Sequence, residues 1–357
     1  MKIFFYTTSL GVGGAEIQCA RIAEAMKVRG YDVEIIVTYP KRSNERVIGP
    51  LCRLGIPIHG CCWKSFAGLR CMYRLFKSAG KDSALFCYNT FPDFLGGFIG
   101  KVAGVDKIYG SIRSECLPIW HIVMDWIVQR LCLTGTIFNS RIARDKFVKR
   151  YYFSSKKSLF ISNCIPENGS IHDYCQTSGN GITVITVGTF KPPKNYRTWL
   201  EVVARARAED VRIRGTIIGY GWQENDIRRW RNELGLDDAV EIVDGNGKED
   251  IPQRLAAADI YLSTSILEGT SNSIMEALRA AIPVVVTDVG DNAYLVEDGE
   301  TGFICGVRAI DSMTKAILNL AQDADLRKRM GNNARIRLMK NHSIDYIVGQ
   351  YESLVVK

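Results

Sequence analysis

Two acidic residues on either side of a short polar turn are the part of this sequence best suited to chemistry. Glu268 and Glu276 stand eight positions apart. The segment between them contains a run of short polar side chains, which are Thr270, Ser271, Asn272 and Ser273. Such residues cap helix N-termini, where unpaired N–H groups and the positive end of the helix dipole attract phosphate. Carboxylates beside that end accept hydrogen bonds from hydroxyls, so the pattern favours a phosphorylated polyol such as a sugar nucleotide.

The chain on both sides of this turn is typical of a parallel α/β sheet. Short apolar runs cover residues 258–264 and 282–287, and runs of this length predict strands that are buried on both faces. A helix over residues 273–280 is expected between them. A simpler interpretation makes Glu268 a solvated loop acid and Glu276 an acid that matches the helix dipole.

A glycine-rich turn near the N-terminus offers a second place for phosphate. Gly13 and Gly14 follow a predicted strand over residues 2–9, and another strand is predicted over residues 32–38. In such a βαβ unit the backbone can approach a phosphate closely, although the glycines could also serve only a tight turn. A nicotinamide dinucleotide site is disfavoured, because the spacing is not the full Gly-x-Gly-x-x-Gly and no acid closes the second strand.

The glutamate spacing carries a family resemblance. Glu268-x7-Glu276, followed by Ala277 and by Pro-Val-Val at 283–285, resembles the retaining glycosyltransferases of family 4, which have the GT-B fold. The resemblance implies two Rossmann-like domains that face each other across a cleft, with the donor mainly on the second. It also implies that Glu268 faces the hydroxyls of the donor sugar and that Glu276 holds the ribose. The Gly13-Gly14 turn resembles the N-terminal loop of the family, which faces the cleft.

The resemblance also assigns the cations of the donor site. The family pattern is Gly-Arg followed by Lys five residues after the Arg, with both cations on the donor diphosphate. Lys194 matches the lysine, but Thr189 stands at the arginine position, so Lys191 or Arg113 could compensate. Arg113 stands at the end of a predicted strand over residues 107–113, where many relatives have a histidine; a surface pair with Glu115 is the alternative.

Together these residues predict an enzyme that moves a hexosyl group from a nucleotide-diphosphate sugar to a saccharide or lipid-linked saccharide acceptor with retention of anomeric configuration. The predicted catalytic residues are Glu268, Lys194 and Arg113. The predicted donor-binding residues are Gly13, Gly14, Thr189, Lys194, Thr270, Ser271, Asn272, Ser273 and Glu276. The resemblance implies metal-independent chemistry, and no cofactor is expected. The alternatives are a sugar-nucleotide epimerase or hydrolase on the same fold, and a non-catalytic membrane-associated scaffold.

A chain of 357 residues is long for one core and predicts two domains. We expect an N-terminal acceptor-side domain over residues 1–165, a linker over 166–181 and a C-terminal nucleotide-sugar domain over 182–340. In GT-B proteins the last helix commonly crosses back to the first domain, and residues 341–357 are assigned to it.

The charge is concentrated in the first half. Residues 1–165 have a net charge of +13, and the remainder has −5. An anionic lipid surface or anionic acceptor would explain this asymmetry, whereas no nucleic-acid-binding motif is present. The eleven cysteines show no Cys-x-x-Cys pairing, which indicates reduced thiols in a cytoplasmic protein. The family resemblance and the basic first half imply a role in surface polysaccharide or glycolipid synthesis, and a peripheral location on the inner face of the plasma membrane is the alternative to a freely cytoplasmic one.

Residues 63–81 carry a basic amphipathic pattern. Four basic residues fall on one helical face and four apolar residues on another, namely Arg70, Arg74, Lys77 and Lys81 against Phe66, Leu69, Tyr73 and Phe76. The pattern suits docking on an anionic membrane surface, each basic residue near the surface contributing on the order of 1 kcal/mol. An ordinary helix packed on the sheet is the alternative.

Overall fold

The computed structural model describes residues 1–174, 181–245 and 250–356. Contacts within the chain divide it into two compact units. The first unit contains Met1–Cys164 together with Ile344–Lys357, and the second contains Ile165–Ser343. Each unit is a parallel sheet with helices between its strands, so the predicted pair of α/β domains is confirmed.

The first unit contains a seven-stranded sheet among the described residues, with the order β3-β2-β1-β4-β5-β6-β7. Its strands are β1 (Lys2–Thr7), β2 (Asp32–Val37), β3 (Ile58–Gly60), β4 (Ser83–Cys87), β5 (Lys107–Ile112), β6 (Gly135–Phe138) and β7 (Ser158–Phe160). The connecting helices are α1 (Gly14–Val28), α2 (Glu45–Arg53), α3 (Phe66–Ala79), α4 (Thr90–Ala103), α5 (Ile119–Leu131) and α6 (Arg141–Tyr151). The sequences of the central strands are mostly apolar, because helices cover both faces of the sheet.

The second unit repeats this plan with a six-stranded parallel sheet, in the order β10-β9-β8-β11-β12-β13 within the described ranges. Its strands are β8 (Ile182–Val187), β9 (Ile213–Gly219), β10 (Val240–Asp244), β11 (Ile260–Ser263), β12 (Val284–Thr287) and β13 (Gly302–Cys305). Its helices are α7 (Tyr196–Glu209), α8 (Glu224–Glu233), α9 (Ile251–Ala256), α10 (Asn272–Arg279), α11 (Asn292–Leu295), α12 (Ile310–Gln322) and α13 (Ala324–His342). The strands predicted on both sides of the glutamate motif are therefore confirmed as β11 and β12.

The segment predicted as a linker differs from that prediction where it is described. Its first residues, 166–174, are part of the second unit, and residues 175–180 lie outside the described residues. Tyr174 Oη donates hydrogen bonds to the carbonyl oxygens of Ala281, at 2.6 Å, and Arg327, at 3.0 Å. His172 Nδ1 lies 2.9 Å from the carbonyl oxygen of Ala256. Polar composition suggested a linker, but these side chains bond to the second unit.

The last helix, α14 (Ile344–Val356), is part of the first unit. Its buried apolar side chains join the core formed by α1, β1 and β4, and they are Ile347, Val348, Tyr351 and Val355. The C-terminal end of α14 is held by Lys107 Nζ, which donates to Val355 O at 2.7 Å, and by Tyr109 Oη, which donates to Leu354 O at 3.0 Å. Such donors satisfy the carbonyl groups that a helix end leaves unpaired.

Two buried acids in the first unit predict a pH-dependent stability. Asp93 and Asp125 are 1% and 2% exposed. Burial raises the pKa of the Asp125 carboxyl to about 7, and burial together with the Asp125 charge raises the pKa of Asp93 well above its usual range. The folded state therefore holds more protons than the unfolded state between about pH 4 and pH 7, so stability falls as the pH rises through this window.

We expect Asp125→Asn to remove part of this slope. Between pH 5 and pH 8 the variant should gain on the order of 2 kcal/mol of unfolding free energy relative to the natural chain, because its amide carries no charge to bury. Urea unfolding of both chains at the two pH values measures this. Parallel pH profiles for the two chains would contradict it.

Within the described ranges, the helices are too short or too polar to cross a lipid bilayer.

Candidate active site

The loops that carry the predicted catalytic pair leave the second sheet at the point where its strand order reverses. Strands β8 and β11 lie side by side, and the chain continues from β8 towards β9 but from β11 towards β12. In open α/β sheets a reversal of this kind leaves a crevice at the carboxyl ends of the strands, where ligands bind. Residues 188–195 follow β8 and residues 264–271 follow β11. The two loops therefore border the crevice.

Lys194 and Glu268 meet at this position. Lys194 Nζ donates to Glu268 Oε1 at 2.5 Å, and the two side chains are 24% and 10% exposed. The backbones of the two loops are also joined, since Ile266 N donates to Pro193 O at 2.8 Å and Thr264 Oγ1 donates to Asn195 O at 3.0 Å. A cation and a carboxylate separated by 74 positions in sequence are thus held in one charge-assisted pair.

The Glu268 carboxylate is oriented by a second donor. Ser265 Oγ donates to Glu268 Oε1 at 2.7 Å. Ser265 is fixed in turn by Thr287 at the end of β12, whose Oγ1 donates to Ser265 O at 2.6 Å. The carboxylate therefore points in a direction set by three strand ends, those of β8, β11 and β12.

Gly290 supports the same loop by close backbone contact. Its φ is +53°, and a Cβ at this position would overlap the carbonyl oxygen of Glu268. Only glycine combines this left-handed conformation with so close an approach. Gly299 has a similar conformation, with φ +79°, but a Cβ there would meet nothing within 4 Å.

These two glycines give a matched pair of substitutions. We expect Gly290→Ala to lower kcat/KM about 100-fold, because displacing a catalytic group by about 1 Å has an effect of that size. Gly299→Ala carries a similar backbone strain without the displacement, so its activity should stay close to that of the natural chain. Steady-state kinetics of the two variants tests this, and equal losses would show that backbone strain is the cause.

The N-terminus of α10 lies on the same loop as Glu268. The helix begins at Asn272, one residue before the predicted start, and Ser271 is its N-cap. Within the described residues the Ser271 side chain makes no capping hydrogen bond to the helix backbone; its Oγ lies 3.2 Å from Ser273 Oγ. Tyr261 Oη donates to Ser273 Oγ at 2.9 Å, and Thr270 Oγ1 donates to Asp291 Oδ2 at 3.3 Å. The serines are thus arranged by their neighbours around a helix end that attracts anions.

The remaining predicted residues of the second unit lie on the same elements. Glu276 is half-buried on α10, and Thr189 is half-buried on the loop after β8. The carbonyl oxygen of Thr189 accepts a hydrogen bond from Lys191 N at 2.9 Å. The Lys191 side chain is exposed.

Arg113, Gly13 and Gly14 belong to the first unit. Gly13 is the N-cap of α1, and a Cβ there would overlap the Glu16 carboxylate. Arg113 donates from Nη1 to Asn163 Oδ1 at 2.9 Å and from Nη2 to Tyr351 Oη at 3.1 Å, and its guanidinium lies 4.5 Å from the centre of the Tyr88 ring. Its partners come from the end of β7 and from α14, so Arg113 joins α14 to the sheet of the first unit.

Comparison with known proteins bears on these observations. A model of the family "Glycosyl transferases group 1" matches residues 175–337. N-acetyl-alpha-D-glucosaminyl L-malate synthase of Bacillus anthracis is 26% identical over 172 residues, which are 48% of this chain and 44% of that protein. A 4-alpha-N-acetylgalactosaminyltransferase of Campylobacter jejuni, which acts on N-acetylgalactosamine-N,N'-diacetylbacillosaminyl-diphospho-undecaprenol, is 26% identical over 94% of both chains. The chain is thus similar to group 1 glycosyltransferases, and the family model covers somewhat less than half of it.

The fold comparison extends over the whole chain. The crystal structure of Anabaena Alr3699/HepE in complex with UDP-glucose matches 100% of both chains, with a TM-score of 0.85 and 18% sequence identity. TarM matches with a TM-score of 0.81 and 14% identity. The predicted GT-B fold, with two parallel α/β domains, is therefore confirmed.

Sequence reasoning missed three residues that shape the site, which are Ser265, Thr287 and Gly290. The Ser265-x-x-Glu268 spacing was a usable signal, because a hydroxyl three positions before a loop acid can reach it. Nothing in the sequence links Thr287 or Gly290 to Glu268, since both act across the sheet.

A metal site is not apparent among residues 1–174, 181–245 and 250–356, where no cluster of three or more histidine, cysteine or acidic side chains could hold an ion. The expectation of chemistry without a metal or cofactor stays a prediction.

Proposed function

We propose that this chain transfers a hexosyl group from a nucleotide-diphosphate sugar to a hydroxyl of a saccharide or lipid-linked saccharide, with retention of anomeric configuration. The observation that supports it most directly is the Lys194–Glu268 pair, which lies at the strand-order reversal with Glu268 on the loop that leads into α10. A cation and a helix N-terminus suit a diphosphate, and a carboxylate suits sugar hydroxyls. The proposal joins these in one donor site.

In the proposed reaction the bond between the anomeric carbon and the diphosphate oxygen breaks, a bond to the acceptor oxygen forms on the same face, and the proton of the acceptor hydroxyl passes to the departing diphosphate. Positive charge develops at the sugar and negative charge at the departing diphosphate. Lys194 and the N–H groups at Ser271–Ser273 stabilise the departing diphosphate. Because the pair with Glu268 already orders the Lys194 side chain, the cation is positioned before the charge develops.

The two glutamates hold the donor. Glu268, fixed by Ser265 and Lys194, accepts hydrogen bonds from the sugar hydroxyls and orients the anomeric carbon. Glu276 on α10 accepts hydrogen bonds from the ribose. Glu268 lies before the start of α10 and Glu276 lies within the helix. The proposed site therefore binds the sugar and the nucleoside at different positions along α10.

The donor and acceptor classes rest on relatives. The Anabaena structure was determined with UDP-glucose, and an Escherichia coli relative, 22% identical over 82% of this chain, is a galactosyltransferase acting on alpha-D-GlcNAc-diphosphoundecaprenol. We therefore propose a uridine-diphosphate sugar and a lipid-linked saccharide as the first pair to test. A role in surface polysaccharide or glycolipid synthesis at the inner face of the membrane follows from that acceptor class.

Product analysis distinguishes the proposal from its alternatives. Candidate donors are first found by thermal shift, where a ligand at one hundred times its dissociation constant adds about 2.7 kcal/mol of stability. A donor that binds is then incubated with and without a diphosphate-linked lipid saccharide. Nucleoside diphosphate released only with acceptor supports transfer, release without acceptor indicates a hydrolase, and a changed sugar on intact donor indicates an epimerase.

The stereochemistry has its own measurement. Proton NMR of the first product formed should show the anomeric configuration of the donor. An inverted product would leave transfer in place but overturn retention.

A further inference from the structure

Two apolar stripes in the first unit face each other without closing the space between them. On α4 the stripe consists of Leu95, Phe98, Ile99 and Val102, at positions i, i+3, i+4 and i+7. On α3 it consists of Phe66, Leu69 and Tyr73, at positions i, i+3 and i+7. This spacing normally marks the buried side of a helix. Here the stripes line a groove of about 510 Å³ that opens to solvent.

The groove exposes large apolar side chains. Phe66 is 79% exposed and Val102 is 73% exposed, although Phe76, farther along α3, is fully buried against the sheet. The alternative stated for residues 63–81, a helix simply packed on the sheet, therefore accounts for only part of the apolar face of α3. A contiguous exposed apolar surface of this kind marks a binding site.

The exposed charges of α3 and α4 have one sign. Arg70 lines the groove, and Arg74, Lys77 and Lys101 are exposed on the same two helices. The sequence of α3 contains no acid, and the single acid of α4, Asp93, is 1% exposed. The surface of the two helices is thus apolar and cationic, which suits an occupant with a hydrocarbon part and an anionic part.

An aromatic cluster lies at the start of α4. Phe91 lies four positions before Leu95, and its ring is 6.3 Å from that of Trp63 and 5.7 Å from that of Trp120, measured between ring centres. Trp120 is 49% exposed. Tryptophan is enriched where protein meets the headgroup layer of a membrane, because its ring is apolar and its N–H is polar.

We infer that the groove between α3 and α4 receives a hydrocarbon chain of an anionic phospholipid, while the surrounding arginines and lysines contact lipid phosphates. A single buried chain gives only marginal membrane binding, and a basic patch is the kind of second contribution that makes attachment stable. This surface combines both contributions. The inference concerns membrane attachment and does not depend on the transferase reaction.

The test is co-sedimentation of the full chain with vesicles of phosphatidylcholine alone and of equal parts phosphatidylcholine and phosphatidylglycerol. The chain should bind the anionic vesicles and bind the neutral ones much more weakly. Phe66→Gln combined with Val102→Asn should weaken binding to anionic vesicles at least tenfold. Both side chains are mostly exposed, so the variant should unfold at the same temperature as the natural chain.

Matched controls separate the groove from general effects. Val28→Asn, at a residue 70% exposed on α1, should leave binding unchanged. Arg74→Gln with Lys77→Gln should weaken binding about fivefold per charge, since each basic residue near an anionic surface contributes on the order of 1 kcal/mol. Exchange of the exposed Lys149 and Arg150 on α6 for glutamine should have a smaller effect.

Two results would overturn the inference. One is the absence of binding to anionic vesicles. The other is binding that depends on the basic pair but is the same for the groove variant and for Val28→Asn, because a purely electrostatic surface does not need the groove.

Discussion

Lys194→Ala should lower kcat about 100- to 1000-fold. Lys194 is the cation that the proposed site places on the departing diphosphate, and loss of one donor to a developing anionic group costs about 3–4 kcal/mol in the transition state. Because additional negative charge develops on the diphosphate as it departs, the loss of Lys194 should lower kcat by a larger factor than it raises KM. Steady-state kinetics with the natural donor and acceptor measures both.

Stability must be followed in the same variant. Glu268 is only 10% exposed and takes hydrogen bonds from both Lys194 and Ser265. Removing the lysine leaves a largely buried carboxylate without its cation, which costs about 1–3 kcal/mol of unfolding free energy. Glu268→Gln added to Lys194→Ala removes that charge, so the double variant should regain most of the stability while remaining inactive.

Arg197→Ala is the matched control for this experiment. Arg197 lies three positions later at the start of α7, its side chain is 60% exposed, and it pairs with Glu201 on the surface. Its loss should leave kcat within about twofold, as exposed pairs contribute little. Near-native turnover of both Lys194→Ala and Glu268→Gln would show that the site has been misassigned.

The strands and the helix start of the site could be predicted from the sequence, because each depends on residues that are close together in the chain. The short apolar runs that form β8, β11 and β12 are each bounded by polar or glycine-containing segments, and such runs predict buried strands without knowledge of their neighbours. The start of α10 was predicted one residue late, since Ser271, Asn272 and Ser273 are all acceptable N-caps.

The pairing of Lys194 with Glu268 was not readable from spacing. The two residues are 74 positions apart, and they meet only because β8 and β11 are neighbours in the sheet. The strand order depends on how whole helices pack, a long-range property that apolar periodicity does not report. The family resemblance named both residues as donor ligands but did not indicate that they form an ion pair.

The exposure of the groove between α3 and α4 also depends on long-range packing, which the sequence pattern does not report. Periodicity correctly placed Phe66, Leu69 and Tyr73 on one face of a helix. An apolar face normally predicts burial, and whether a neighbouring helix fills it depends on the distance between α3 and α4. The exposure of Phe66 and Val102 is therefore a property of the fold that the sequence pattern does not contain.

Removal of α14 should unfold the first unit. Four apolar side chains of this helix are almost fully buried there, namely Ile347, Val348, Tyr351 and Val355. Burying each such side chain contributes about 1.5–3 kcal/mol, and the total is comparable with the 5–15 kcal/mol that stabilises a whole domain. A chain that ends at Ser343 also loses the Tyr351 hydroxyl, which accepts from Arg113. The first unit should then lack the free energy to stay folded.

Hydrogen exchange followed by mass spectrometry measures the unfolding of each unit separately. In the shortened chain the amides of β1 and β4 should lose their protection, while those of β8 and β11 in the second unit should keep it, because α14 is not part of that unit's core. Tyr346→Ala is the control, since Tyr346 is on the same helix but 49% exposed, and it should leave all four strands protected. Tyr351→Ala should lie between these results, costing about 3–5 kcal/mol for the cavity left by a buried aromatic ring. If β1 and β4 stay protected in the shortened chain, the first unit is stable without α14, and the role assigned here to the buried face of that helix is wrong.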